Sequence, residues 1–118
     1  MRLLSESDAV ICETCVVADS PLTRMRGLLG RAELPSGEGL LIRPANSIHT
    51  WFMRFPIDAV FLDRDLTVLR IRSAVEPWRM AGCRGAKAVL ELAAGEAERR
   101  GVAVGAKLVL NSDSEGDR

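Results

Sequence analysis

His49, Asp58 and Glu91 are the residues whose types could support acid–base chemistry in this chain. His49 is the only histidine, and an imidazole titrates close to neutrality, so a carboxylate beside it would make it a general base. Asp58 lies in the apolar run "IDAVFLD", and Glu91 sits between Leu90 and Leu92. Brought together, the two carboxylates could share a proton or hold a cation. Each also has a purely structural reading. Asp58 could be a buried acid paired with Arg54, Arg26 or Arg43, or it could cap backbone N–H groups next to Pro56. Strand alternation could turn Glu91 out to solvent.

The second chemistry is recognition. The stretch "SIHTWFMRFPIDAVFLDRD" (47–65) holds Trp51, Phe52, Phe55 and Phe61, four of the chain's five aromatic residues. Phe61 belongs to a core. Trp51, Phe52 and Phe55 cannot all face inward from one short strand and its bend, so at least one is expected at the surface. An exposed aromatic beside Arg54 marks a binding surface, with Trp78 from a later loop as a lid. The third chemistry is that of thiols. "CETC" has C-x-x-C spacing, which serves redox chemistry or zinc, but it lies within "AVICETCVV", a strand pattern. Residues three apart on a strand face opposite ways, so Cys12 and Cys15 are expected to diverge and to act as small buried hydrophobes. A zinc site would need Cys83 and His49 as well; neither a metal nor a cofactor is expected.

The elements that must position these residues follow from pattern. "DSPLTRMRGLLGR" has a cap in Asp19 or Ser20, Pro21 at the first helical position, and Leu22, Met25, Leu28 and Leu29 at helical spacing. It predicts a short helix carrying Arg26 toward the candidate groove. "GLLIRP", "IHTWFM" and "IDAVFLD" read as strands, the last two separated at Pro56, which cannot donate to a ladder. "IDAVFLD" is apolar on both faces and so buried. "LTVLRIRS" pairs back after the turn "DRD". "VEPWRMAGCRGA" reads as a long loop, "KAVLEL" as a strand, "AAGEAERRG" as a second short helix stopped at Gly101, and "VAVGAKLVL" as a turn and last strand. The expected class is α+β, mostly antiparallel β, a small barrel-like sheet with two short helices. Residues 1–110 form one domain, and 111–118, "NSDSEGDR" with its polar composition, form a disordered tail.

Composition narrows the function classes. The 118 residues are 47% hydrophobic and 27% charged, enough to bury a core of their own. The formal net charge is zero, which argues against nucleic acid or an anionic membrane as partner. There is no nucleophile elbow, P-loop or dinucleotide fingerprint. "MRLLSESDAVI" is too short in apolar residues for a secretory signal, and no run approaches a membrane span. A cytoplasmic location is expected.

The blocks "RMRGLLGR", "GEGLLI", "HTWFMRFPIDAVFLD" and "AVLELAAG" followed by "GVAVG" resemble, in order, those of the bacterial and archaeal family known as domain of unknown function 192. The resemblance runs from about Val16 to Leu110. It implies a single β-rich domain, some of whose relatives carry export signals, and it brings no assigned reaction. Leu29 stands where relatives often have Met, the Asn-Thr pair of many members is replaced within "HTWFMRFPID", and "CETC" lies outside the family pattern.

These observations favour a non-enzymatic binding module. Its groove would be built from His49, Trp51, Phe52, Arg54 and Asp58, with Arg26 and Glu91 as further candidates, and it would take a small anionic molecule or a peptide segment. The alternatives are a hydrolase or metal-assisted enzyme using His49, Asp58 and Glu91, and a structural subunit of a larger assembly, the oligomeric state being open.

Overall fold

In a computed structural model, which describes residues 1–19 and 33–111, the two most apolar stretches become the middle of a sheet. Among these residues the chain forms β1 (Arg2–Ser5), β2 (Val10–Cys12), β3 (Thr14–Ala18), β4 (Glu38–Ile42), β5 (Ser47–His49), β6 (Ile57–Leu62), β7 (Val68–Val75), β8 (Met80–Gly82), β9 (Ala88–Ala93), α1 (Glu96–Arg99) and β10 (Leu108–Asn111). A five-stranded sheet in the order β3-β4-β9-β6-β7 forms the central layer. Its pairings are antiparallel except β3 with β4.

Both faces of the central sheet are covered at β6 and β9, which explains why β6 is buried at every position and why alternation is missing from its sequence. One face packs Leu41, Val60, Leu62, Leu90 and Leu92 against Leu3, Ile11 and Leu108 of the three-stranded sheet β10-β1-β2. The other packs Leu40, Ile57, Ala59, Phe61 and Val89 against Ile48 and Ala81 of the two-stranded sheet β5-β8, with Met53 beside them. Gly39 of β4 allows a close approach, because a Cβ there would lie 2.8 Å from the Cys12 sulfur and 2.9 Å from Leu92.

Three expectations are corrected. The sheets do not close into a barrel. They meet at corners, where Cys15 N–H donates to the Met1 carbonyl and Thr67 bridges Lys107, and no continuous ladder joins them. "AVICETCVV" is not one strand: it breaks at Glu13, so β2 belongs to one sheet and β3 to another. "VEPWRMAGCRGA" is not wholly loop, since it contains β8, paired with β5. Of the two expected helices, α1 is present, ending before Gly101 at φ 77°. The helix expected over "DSPLTRMRGLLGR" lies, beyond Asp19, outside the described residues. So does most of the expected tail, although Asn111 belongs to β10.

Candidate functional site

"HTWFM" is not a continuous strand. After β5 the chain turns, and Thr50 holds the turn to a second one at residues 76–79. The fully buried Thr50 hydroxyl donates to the Glu76 carbonyl at 2.6 Å and accepts the Arg79 N–H at 2.9 Å. Its backbone N–H donates to the Arg79 carbonyl at 2.8 Å, and its carbonyl accepts from Trp78 at 3.0 Å and Met53 at 3.2 Å. Met53 anchors the first turn in the core. A threonine between a strand end and a turn often bonds backbone groups through its side chain, the one local signal that could have singled it out.

What the two turns display is a cluster of exposed rings. Phe52 and Trp78 are 68% and 56% exposed, with ring centroids 4.7 Å apart and planes at 60°. Trp51, also exposed, stacks on His49 at 4.7 Å and 30°. Met80, directly across the β5–β8 pair from His49, is 64% exposed beside them. Phe52 and Trp78 both lie in the left-handed region, at φ 66° and 67°. Bulky residues rarely adopt it, at a cost on the order of 1–3 kcal/mol each, and such strain persists only where the surroundings enforce it. Thr50 supplies that enforcement. Thr50→Val is therefore expected to destabilise the protein by about 1–3 kcal/mol and to accelerate amide exchange at Trp78 and Arg79 above the global rate. Unchanged exchange at those two amides would contradict this role.

Arg54 and Arg79 border the rings and are exposed, as is Glu76. Arg79 Nη1 donates to the Trp78 carbonyl at 3.4 Å. Phe55 is partly buried against the core, so of the four clustered aromatics Trp51 and Phe52 face outward and Phe55 and Phe61 inward. Arg26 lies outside the described residues.

The acids do not join this surface. Asp58 is 1% exposed and is committed to backbone amides: Oδ1 accepts Ala74 N–H at 2.8 Å, and Oδ2 accepts Gly95 N–H and Ala97 N–H, each at 3.0 Å. It fastens the start of α1 to the central sheet and bridges β6 to the end of β7 where their register shifts. Glu91 pairs with Leu40 on one side and Ala59 on the other, whereas Asp58 pairs with Leu92. The two acids therefore point to opposite faces, Asp58 with Val60 and Leu62, Glu91 with Val89 and Ala59. Glu91 is 4% exposed, its carboxylate makes no hydrogen bond or ion pair among the described residues, and burial pushes its carboxyl up to about 7. His49 is exposed against Trp51, and neither Asp58 oxygen is bonded to it.

Cys12 and Cys15 do not diverge. The break at Glu13 brings both into one core cluster and within hydrogen-bonding reach of each other, which together with burial raises the Cys12 thiol well above its ordinary value, while the same bond lowers Cys15. Among the described residues no three His, Cys, Asp or Glu side chains converge as metal ligands. A buried acid without a signal in the sequence is Glu96. It accepts Ser36 Oγ at 3.2 Å and Gly37 N–H at 3.3 Å and pairs with Arg99 and Arg100, which ties α1 to the turn before β4. No helix among the described residues is long and apolar enough to cross a membrane.

A layered β domain with an outward-facing aromatic surface, and with no histidine–carboxylate pair among the described residues, defines the class. The chain belongs to the uncharacterised ACR family, domain of unknown function 192, whose profile matches residues 3–110. It is similar to a crystal structure from Sinorhizobium meliloti 1021, provisionally named a transcription regulator, with a TM-score of 0.80 and 27% identity over 92% of this chain and 89% of that one. It is also similar to a protein of unknown function from Novosphingobium aromaticivorans DSM 12444, with a TM-score of 0.79 and 25% identity over 92% and 82% of the two chains. No curated protein matches the chain.

Proposed function

We propose that this protein is a binding module and that the surface formed by Trp51, Phe52, Trp78 and Met80 receives a protein segment carrying an apolar anchor flanked by acidic residues. The carrying observation is the Phe52–Trp78 pair, exposed yet held in ring contact from two left-handed backbone positions. Exposed, well-ordered aromatics are the usual energetic centre of protein recognition. Arg54 and Arg79, exposed at the border, favour carboxylates in the partner. A peptide suits this open surface better than a small anion, which would gain little from four apolar side chains. A regulator acting through protein contacts, rather than by direct DNA binding, is in keeping with a formal net charge of zero.

Selection of peptides from a displayed random library tests this. Enriched sequences should combine an aromatic or aliphatic residue with Asp or Glu. Trp78→Ser or Phe52→Asn should weaken them by at least about tenfold. Phe52→Asn should leave stability equal or higher, because Asn tolerates the left-handed region. Peptides that bind both variants as well as the wild type would refute the assignment. So would a self-association abolished by Trp78→Ser, which would make a second copy the occupant.

A further inference from the structure

The central sheet has a second built surface at its other end. The aromatic turns adjoin Ile57 of β6; past Leu62, about 17 Å away along the strand, lies a cleft of ≈ 390 Å³. Arg43, Arg64 and Lys87 line it, and no hydrogen bond or ion pair engages their side chains among the described residues. Pro44, Leu66 and Ala88 supply apolar wall.

The three cations come from three separate segments that the backbone locks together. Arg43 N–H donates to the Ala18 carbonyl at 3.1 Å, Ala45 N–H to Lys87 at 3.1 Å, and Lys87 N–H to Leu62 at 2.8 Å. The β6–β7 hairpin carrying Arg64 is stiffened by Asp63, whose Oδ1 accepts the N–H groups of Asp65 at 2.8 Å and Thr67 at 2.9 Å. Two carboxylates also line the cleft. Asp63 gives one oxygen, Oδ1, to those amides, and Asp19 is exposed. Against these three cations stand two carboxylates, so the lining keeps a formal excess of one positive charge, which a bound anion would offset.

We propose that this cleft binds a small phosphate monoester with a compact apolar body, its phosphate met by Arg43, Arg64 and Lys87 and its body resting on Pro44, Leu66 and Ala88. A phosphate monoester carries close to two negative charges and three strong acceptors. That suits three cations better than a single carboxylate does, and the guanidinium fork matches phosphate oxygens bidentately. The volume is that of a small-ligand site. The site is separate from the aromatic surface and does not depend on its assignment.

Phenyl phosphate, inorganic phosphate and benzoate, titrated into the isotope-labelled protein and followed by backbone amide shifts, provide the test. Phenyl phosphate is expected to saturate and to shift the amides of Leu66, Lys87 and Ala88. Inorganic phosphate should shift the same amides more weakly, and benzoate should bind at least about tenfold more weakly than phenyl phosphate. The Arg43→Ser, Lys87→Ser double variant should lose phenyl phosphate by more than about tenfold. Its thermal midpoint, measured alongside, should stay near that of the wild type, since neither side chain is buried. Benzoate binding as tightly as phenyl phosphate, inorganic phosphate binding as tightly, or a double variant with unchanged affinity would overturn the proposal. So would the absence of saturation at millimolar phenyl phosphate.

Discussion

Glu91→Gln is expected to stabilise the protein by about 3 kcal/mol at pH 8 and by less than about 1 kcal/mol at pH 5. The acid's ordinary value is 4.5, and burial pushes it up to about 7 in the folded chain. Between those two values the native state holds a proton that the unfolded chain has released. Stability therefore falls as pH rises through that window, and the whole penalty is present above it. Below about 4.5 both states are protonated and the term vanishes. Glutamine resembles the protonated acid in shape and polarity, so it should leave the acidic limit near that of the wild type and flatten the slope. The physical origin is the position on β9, between Leu40 and Ala59 on a face packed by Ile48, Met53 and Ala81. Urea unfolding of both proteins from pH 5 to pH 8 measures this. A flat wild-type profile would mean that the carboxylate is compensated in solution.

Asp58→Ala is expected to cost about 3–5 kcal/mol. Its loss would strand three N–H groups, those of Ala74, Gly95 and Ala97, of which Ala97 is buried. Each is a charge-assisted bond to a buried carboxylate, and the one to Ala97 is itself buried. Asp58→Asn keeps one acceptor oxygen but turns an amide donor toward other donors, so its cost should fall between the two. Chemical denaturation gives the size, and amide exchange gives the place, with α1 losing protection before the central strands. A loss under about 1 kcal/mol for Asp58→Ala would rule out this fastening role.

These two acids also mark where sequence reasoning reaches and where it stops. The apolar run around Asp58 announced a buried strand, and a carboxylate there had to find partners. Those partners are backbone groups of Ala74, Gly95 and Ala97, far away in the chain and invisible to local pattern. For Glu91 the sequence left two possibilities, solvent or a covered face. The choice depended on β5 and β8 covering that face, and β8 is a three-residue strand among Pro and Gly that carries almost no strand signal. The expected surface aromatic was legible because one short strand cannot bury three rings. That it would meet Trp78 in ring contact was not, since the contact depends on the Thr50 hydroxyl bridging two turns. The divergence expected for Cys12 and Cys15 failed because strand periodicity holds only within a strand, and Glu13 ends one.

On the proposed binding function, the left-handed backbone at Phe52 and Trp78 bears on how a complex would form. A backbone already set in one conformation loses little freedom on contact, so more of the entropic cost of a complex would fall on the other molecule. Such a surface would select partners that can adapt, such as a flexible tail or loop that orders as it lands. Variation among such partners should then be written in residence time rather than in the speed of encounter.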